Sequence, residues 1–309
     1  MNIGKIHKSL LTSKLLLFTI LFAFIVVRLY SIGAQWDNYS LWACLLIQIG
    51  IAFFLLQLDH IFHFIQERSF LPALFYLLFI GINPVYYSDL KGSIAAACFL
   101  LCFYPLFNSY QKPKSQINAL NISLLLSLGS LLWTPLLFLF PVLWLGFYRF
   151  QCFNLRMFFA SLTGFVIVYL FLFTWSIYQG DKNIFLSLLP HFDAFAIRTP
   201  DLTGLEWITY GFLLLIYIFI GFYLYVSNIS ERLWTISILS YLYLSTFIIF
   251  LFYLLQSEYK SSWGLIISIP LAFLTAHFFS RVNKRSIYYL LLLFLLFFMG
   301  IGIVQYVSA

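Results

Sequence analysis

NPVYYSDLKGS, Asn83 to Ser93, is polar and charged, yet it lies between two apolar runs each long enough to cross a bilayer. Read as the tip of a helical hairpin, it makes its flanks a pair of membrane helices and the chain a multi-pass bundle. Pro84 has no backbone donor and pushes Asn83 out of the α region, so the incoming helix ends there. The tip then offers Asp89, Lys91 and Ser93 at alternate positions, with Ser88 beside them. An acceptor, a cation and two hydroxyls suit a phosphate or sugar headgroup at a membrane surface. They suit equally a solvated turn that keeps the tip in water, and both readings stay open.

Composition extends this reading to the whole chain. Over 309 residues, 63% are hydrophobic and only 9% charged, against about 25% charged in ordinary globular proteins. A spanning helix needs about 20 mostly apolar residues. Eleven such runs follow one another, several of them short: 15–30, 41–58, 70–82, 94–110, 117–132, 136–148, 157–176, 207–226, 235–255, 263–280 and 287–304. In lipid each backbone group must be satisfied within its own segment. The expected fold class is therefore all-α, a polytopic membrane helix bundle of about eleven transmembrane helices, forming a single integral membrane domain over 1–309. The first run follows Lys5, Lys8 and Lys14, is long for a signal sequence and carries Arg28; with Ile32-Gly33-Ala34 a poor cleavage site, it reads as a retained first helix.

Charge placement orients the bundle. Threading with the N-terminus inside puts Lys5, Lys8, Lys14, Arg68, Lys112, Lys114, Arg149, Arg156, Arg232, Arg281, Lys284 and Arg285 inside, and only Arg28, Lys91, Lys182, Arg198 and Lys260 outside. That is the bias of the positive-inside rule. Asp37, Asp89, Asp181, Asp193, Asp201, Glu206 and Glu258 fall outside. The expected location is a bacterial inner membrane, N-terminus cytoplasmic and C-terminus extracytoplasmic. The net charge of +7 does not point to nucleic acid, because the cations sit singly or in pairs without a clustered face. Cys44, Cys98, Cys102 and Cys152 read as small buried hydrophobes. His60 and His63 have the spacing of one helical turn, but no third ligand converges on them, so neither a metal nor a cofactor is expected.

Chemistry gathers on the expected outer face. Asp37 lies in the first outer loop, Asp89 and Lys91 at the hairpin tip, and His191, Asp193 and Arg198 in the 177–206 loop. In that loop Ile184, Phe185, Leu188, Leu189, Phe192 and Phe195 recur at helical spacing, so a short interfacial helix kinked at Pro190 is expected, placed to act as a lid. No charge occupies the middle of an apolar run, which argues against ion-coupled transport. An acid as general base, with cations to hold a phosphate leaving group, is the minimum for group transfer from a lipid-linked phosphosugar.

The order of these parts resembles the GT-C glycosyltransferases, in particular the protein mannosyltransferase and aminoarabinose transferase branch. NPVYYSDLKGSIAAACFLLCFYPL is similar to that branch's third-to-fourth helix hairpin, through Asn83, Pro84, Tyr87, Ser88, Asp89 and Lys91. LGSLLWTPLLFLFPVLWL is similar to its fifth and sixth helices, with Pro135 at the tip and Pro141 within. The family also has an acid in its first outer loop and a large outer loop after helix seven. The likeness covers about Leu15 to Glu206; here the first outer loop is short with a lone Asp37, and Trp133 and Thr134 stand where a basic residue is often found. Bacterial multi-pass membrane proteins are similar as well. The resemblance implies a glycosyltransferase moving a sugar from a polyprenyl-phosphate donor, with membrane lipids as surroundings. Asp37 is then the preferred base and Asp89 the second; Lys91 and Arg198 hold the donor phosphate, and His191 and Asp193 line the acceptor side. The competing class is a non-enzymatic scaffold or assembly component, or a transporter.

Overall fold

Among the described residues nine helices correspond to the second through tenth apolar runs, and no strand occurs. The structure, a computed structural model, describes residues 21–22, 24–26, 28, 38–63, 70–81, 83–112, 114–180, 204–227, 232–281 and 300. The helices are α1 Tyr39–Phe62, α2 Leu71–Gly81, α3 Leu90–Asn108, α4 Gln116–Leu132, α5 Leu139–Arg149, α6 Leu155–Gln179, α7 Gly204–Ser227, α8 Leu233–Leu255 and α9 Lys260–Arg281. Six of them, α1, α3 and α6 to α9, are long and apolar enough to cross a membrane, whereas α2, α4 and the Thr134–Arg149 segment are shorter. The protein is a polytopic, all-helical membrane protein. Of the first apolar run, the described residues between 21 and 28 are helical; the eleventh run, 287–304, lies outside the described residues except for 300.

Local chemistry sets the helix ends. Asn38 caps α1 by accepting from Ser40 N at 3.2 Å, and Asn154 caps α6 by accepting from Met157 N at 2.9 Å. His63, in the left-handed region at φ 50°, closes α1, and Gly180 at φ 72° closes α6, a conformation that costs glycine nothing. Between α2 and α3 the chain makes a 3-10 turn, Pro84–Tyr87, capped by the Asn83 side chain on Val85 N at 3.0 Å. The hairpin tip is thus shorter than the extended NPVYYSDLKGS segment expected from sequence. Helix α3 begins at Leu90, and Ser93, expected at the surface, is fully buried against α1.

Successive helices alternate in direction, which gives the bundle two distinct ends. At one end lie the α2–α3 hairpin, Glu206, Gln256 and Lys260; at the other lie Lys112, Lys114, Arg149, Arg156, Arg232 and Arg281. We call these the hairpin end and the basic end. Helix α9 is the hub: every residue from Ser262 to Phe279 is buried, and it packs on α2, α3, α7 and α8. A helix apolar all round is one surrounded by protein or lipid, and here protein surrounds it. Close approach relies on small residues, as helix pairs in lipid do. A Cβ at Gly264 would overlap the Tyr86 hydroxyl, and one at Gly164 would overlap the Ser123 hydroxyl and come 2.9 Å from the Leu120 carbonyl of α4. Conversely, Leu162, Val166, Leu170 and Phe173 of α6 are exposed, as expected of a lipid-facing stripe.

Candidate functional site

Polar side chains of the hairpin end form a seam through an otherwise apolar bundle. Asp89 stands at its centre. Oδ1 accepts from the Gly92 backbone N–H at 2.8 Å, capping α3, while Oδ2 accepts the hydroxyls of Ser261 at 2.8 Å and Ser262 at 2.6 Å from the first turn of α9. The carboxylate therefore joins the N-termini of two helices, where both macrodipoles favour negative charge. Gly92 leaves room for this contact, because a Cβ would overlap the Asp89 carboxylate and the Ser262 hydroxyl.

Beneath the tip is a buried cation. Arg28 is wholly inaccessible and donates through Nη2 to Gln48 Oε1 of α1. Its guanidinium lies 3.6 Å from the centroid of the Tyr87 ring and 5.5 Å from that of Phe24. Cation–π contact of this kind is strongest where water is excluded. Gln48 passes the connection on: Nε2 donates to the Tyr86 carbonyl at 2.9 Å and to Ser93 Oγ at 3.1 Å. Burial pushes the Tyr86 phenol up to about 12, with the side chains of Tyr253 and Asn83 moderating the rise.

Two further contacts complete the seam. Lys260 Nζ pairs with Glu206 Oε1 at 2.7 Å, tying the start of α9 to the start of α7. Trp263 donates its indole N–H to Gln256 Oε1 at 3.0 Å and meets Trp133, from the α4–α5 turn, edge-on at 4.9 Å. Lys91 is exposed and makes no ion pair among the described residues.

Of the residues singled out from sequence, the structure describes Asp89 and Lys91 and brings them to the same rim. Asp37, His191, Asp193 and Arg198 lie outside the described residues, as does the interfacial helix expected over Ile184 to Phe195. The sequence reading missed Gln48, Ser261, Ser262, Glu206 paired with Lys260, and the burial of Arg28. Two of these carried a signal: Arg28 and Gln48 are among the polar interruptions of the first two apolar runs, and such residues in a membrane segment tend to face the interior and find partners. His60 and His63 have rings 6.1 Å apart, and no cluster of three or more His, Cys, Asp or Glu side chains able to hold a metal occurs among the described residues. The four cysteines are free; Cys44, Cys102 and Cys152 are buried, and Cys102 returns its thiol to the Cys98 carbonyl at 3.2 Å.

Fold and seam together define a polytopic membrane protein with its polar chemistry at one end of the bundle. No protein-family model, curated protein or solved structure matches the chain.

Proposed function

We propose that the bundle is a GT-C-like glycosyltransferase that moves a sugar from a polyprenyl-phosphate donor at the hairpin end, on the extracytoplasmic face of a bacterial inner membrane. The observation that supports the reading is the gathering of Asp89, Lys91, Glu206 and Lys260 at one end of an apolar bundle, with Arg28 buried beneath them. The cations Lys112, Lys114, Arg149, Arg156, Arg232 and Arg281 at the opposite end support that orientation. Asp89 has its oxygens engaged by three donors, so it fixes the hairpin on α9 and leaves the role of base to Asp37, which directly precedes the α1 cap. In this reading Asp37 takes the acceptor hydroxyl proton, the acceptor oxygen bonds to the anomeric carbon, and the carbon–oxygen bond to phosphate breaks. Polyprenyl phosphate leaves with the electron pair, its charge met by Lys91 and Arg198, while His191 and Asp193 line the acceptor side.

A second reading, a non-enzymatic scaffold, is favoured by one observation: much of the seam's polarity is spent internally, Asp89 on α9, Glu206 on Lys260 and Arg28 on Gln48. Mass spectrometry of lipid co-purified with the full chain separates the two. The enzyme reading predicts polyprenyl phosphate or its glycoside, and a changed envelope glycan profile in an Asp37→Asn strain. A chain that carries bulk phospholipid alone, with an Asp37→Asn glycan profile identical to wild type in a strain where deletion alters it, supports the scaffold.

A further inference from the structure

A groove at the opposite end of the molecule has no part in the seam. It opens between α7 and α8, encloses about 580 Å³, and is walled by apolar and tyrosine side chains such as Ile218, Leu224, Leu239, Leu244 and Phe247, with Arg149 at its edge. This volume is within the usual range of ligand sites. Ile218 and Phe247 are half exposed, so the groove faces the lipid phase rather than the interior. From Leu239 to Phe247 it advances about 12 Å along α8, at 1.5 Å per residue. Because α8 starts at the basic end, the groove runs from that end toward the middle of the membrane.

Besides its two tyrosines, the slot is lined by two polar side chains. Arg149, the last residue of α5, is exposed and makes no ion pair among the described residues. Ser240 is the other. Ser237, Ser245 and Thr246 of the same helix return their hydroxyls to backbone carbonyls, as serine and threonine in lipid usually do, whereas Ser240 has no hydrogen-bond partner among the described residues. The wall between them is stiff: the Tyr217 and Tyr243 rings stack at 4.2 Å and 11°, the Tyr217 hydroxyl donates to the Tyr243 carbonyl at 3.2 Å, and Tyr243 lies so close over Gly221 that a Cβ there would overlap its hydroxyl.

We propose that this groove is a binding site for an anionic phospholipid of the leaflet at the basic end, with one acyl chain in the slot and the phosphodiester at Arg149 and Ser240. Basic pockets between membrane helices take anionic headgroups in this way, and charge complementarity selects the occupant: an unpaired cation at the mouth of an apolar slot matches an anion carrying a hydrocarbon tail. A zwitterionic lipid fills the slot equally well but brings its own cation to Arg149. The site is independent of the chemistry proposed for the hairpin end.

The test is native mass spectrometry of the full chain, released from micelles doped with equal amounts of phosphatidylglycerol and phosphatidylcholine. Wild type should retain phosphatidylglycerol over phosphatidylcholine by about fivefold, the ratio one cation gives against an anionic lipid. Arg149→Gln should bring the ratio to about one, and Leu244→Trp, which fills the slot, should lower retention of both. Arg156→Gln removes an exposed cation elsewhere at the same end and should leave the ratio unchanged. No preference in wild type, or an equal loss in Arg156→Gln and Arg149→Gln, overturns the proposal. So does an unchanged ratio in Arg149→Gln, which would leave Arg149 as a cation at a helix C-terminus only. Displacement of phosphatidylglycerol from the wild-type groove by an equal amount of polyprenyl phosphate would reject bulk phospholipid as the occupant.

Discussion

Replacing Asp89 by alanine removes three hydrogen bonds at once, and the structure lets their sum be worked out. The N-cap on Gly92 is worth about 1 kcal/mol. Each serine hydroxyl bond to the carboxylate adds about 1 kcal/mol net, the typical value for a neutral pair and below that for buried charged acceptors, because Asp89 is partly exposed. Asp89→Ala should therefore destabilise the bundle by about 3 kcal/mol. Asp89→Asn keeps an acceptor for Gly92 and can still bond a serine hydroxyl, so it should cost about 1 kcal/mol. Unfolding of the purified protein in mixed detergent–SDS micelles, followed by tryptophan fluorescence, gives both numbers. A double-mutant cycle with Ser262→Ala, whose hydroxyl is 2.6 Å from Oδ2, should return a coupling of about 1 kcal/mol. If Asp89→Ala costs under about 1 kcal/mol, or the coupling is nil, Asp89 does not lock the hairpin to α9 and its assignment as a base regains force.

Other consequences are more compact. Gly164→Val should destabilise by about 2 to 3 kcal/mol in the same unfolding assay, because its side chain meets the Leu120 carbonyl and Ser123 between α4 and α6; a neutral result would contradict the close approach. Trp263→Phe breaks the bond to Gln256, whereas Trp133→Phe deletes a buried N–H that has no hydrogen-bond partner among the described residues, so the first should cost at least about 1 kcal/mol more in its indole contribution. Burial pushes the Cys152 thiol, in the turn after α5, up to about 11. The neutral form therefore persists through pH 8, and maleimide should label Cys152 only in denatured protein or as the pH nears that value; labelling of the folded chain at pH 8 at the rate of a free thiol would refute it.

Much of the architecture could be read from the chain because its signal is coarse. A run such as 235–255 has no alternative in lipid but a helix, and the observed Leu233–Leu255 differs by two residues at one end. Pro84 marked the end of α2 for the same reason, since a missing donor acts locally. The site was harder to read. Asp89 and Ser262 are 173 residues apart in sequence, and nothing local in DLKGS or KSSWG says that two helix N-termini meet over one carboxylate. Arg28 lies within the first apolar run and was counted on the outer side as an orienting charge, but the ring of Tyr87 and the amide of Gln48 supply the partners that make its burial tolerable. Those partners come from two other segments, and only tertiary structure joins them. Ser93 illustrates the reverse error: a polar residue in a polar stretch was read as surface, whereas the helix starts at Leu90 and turns that hydroxyl inward to Gln48.

The central claim is that a polyprenyl-phosphate lipid binds at the hairpin end, and photo-crosslinking tests it most directly. The full chain in nanodiscs would be irradiated with a polyprenyl phosphate carrying a diazirine near the phosphate, then digested and mapped by mass spectrometry. The account predicts adducts on peptides spanning residues 83–93 and 256–263, reduced by unlabelled polyprenyl phosphate and by Lys91→Gln. Adducts confined to residues 217–247, or labelling no stronger than with a phosphatidylcholine diazirine, would contradict it.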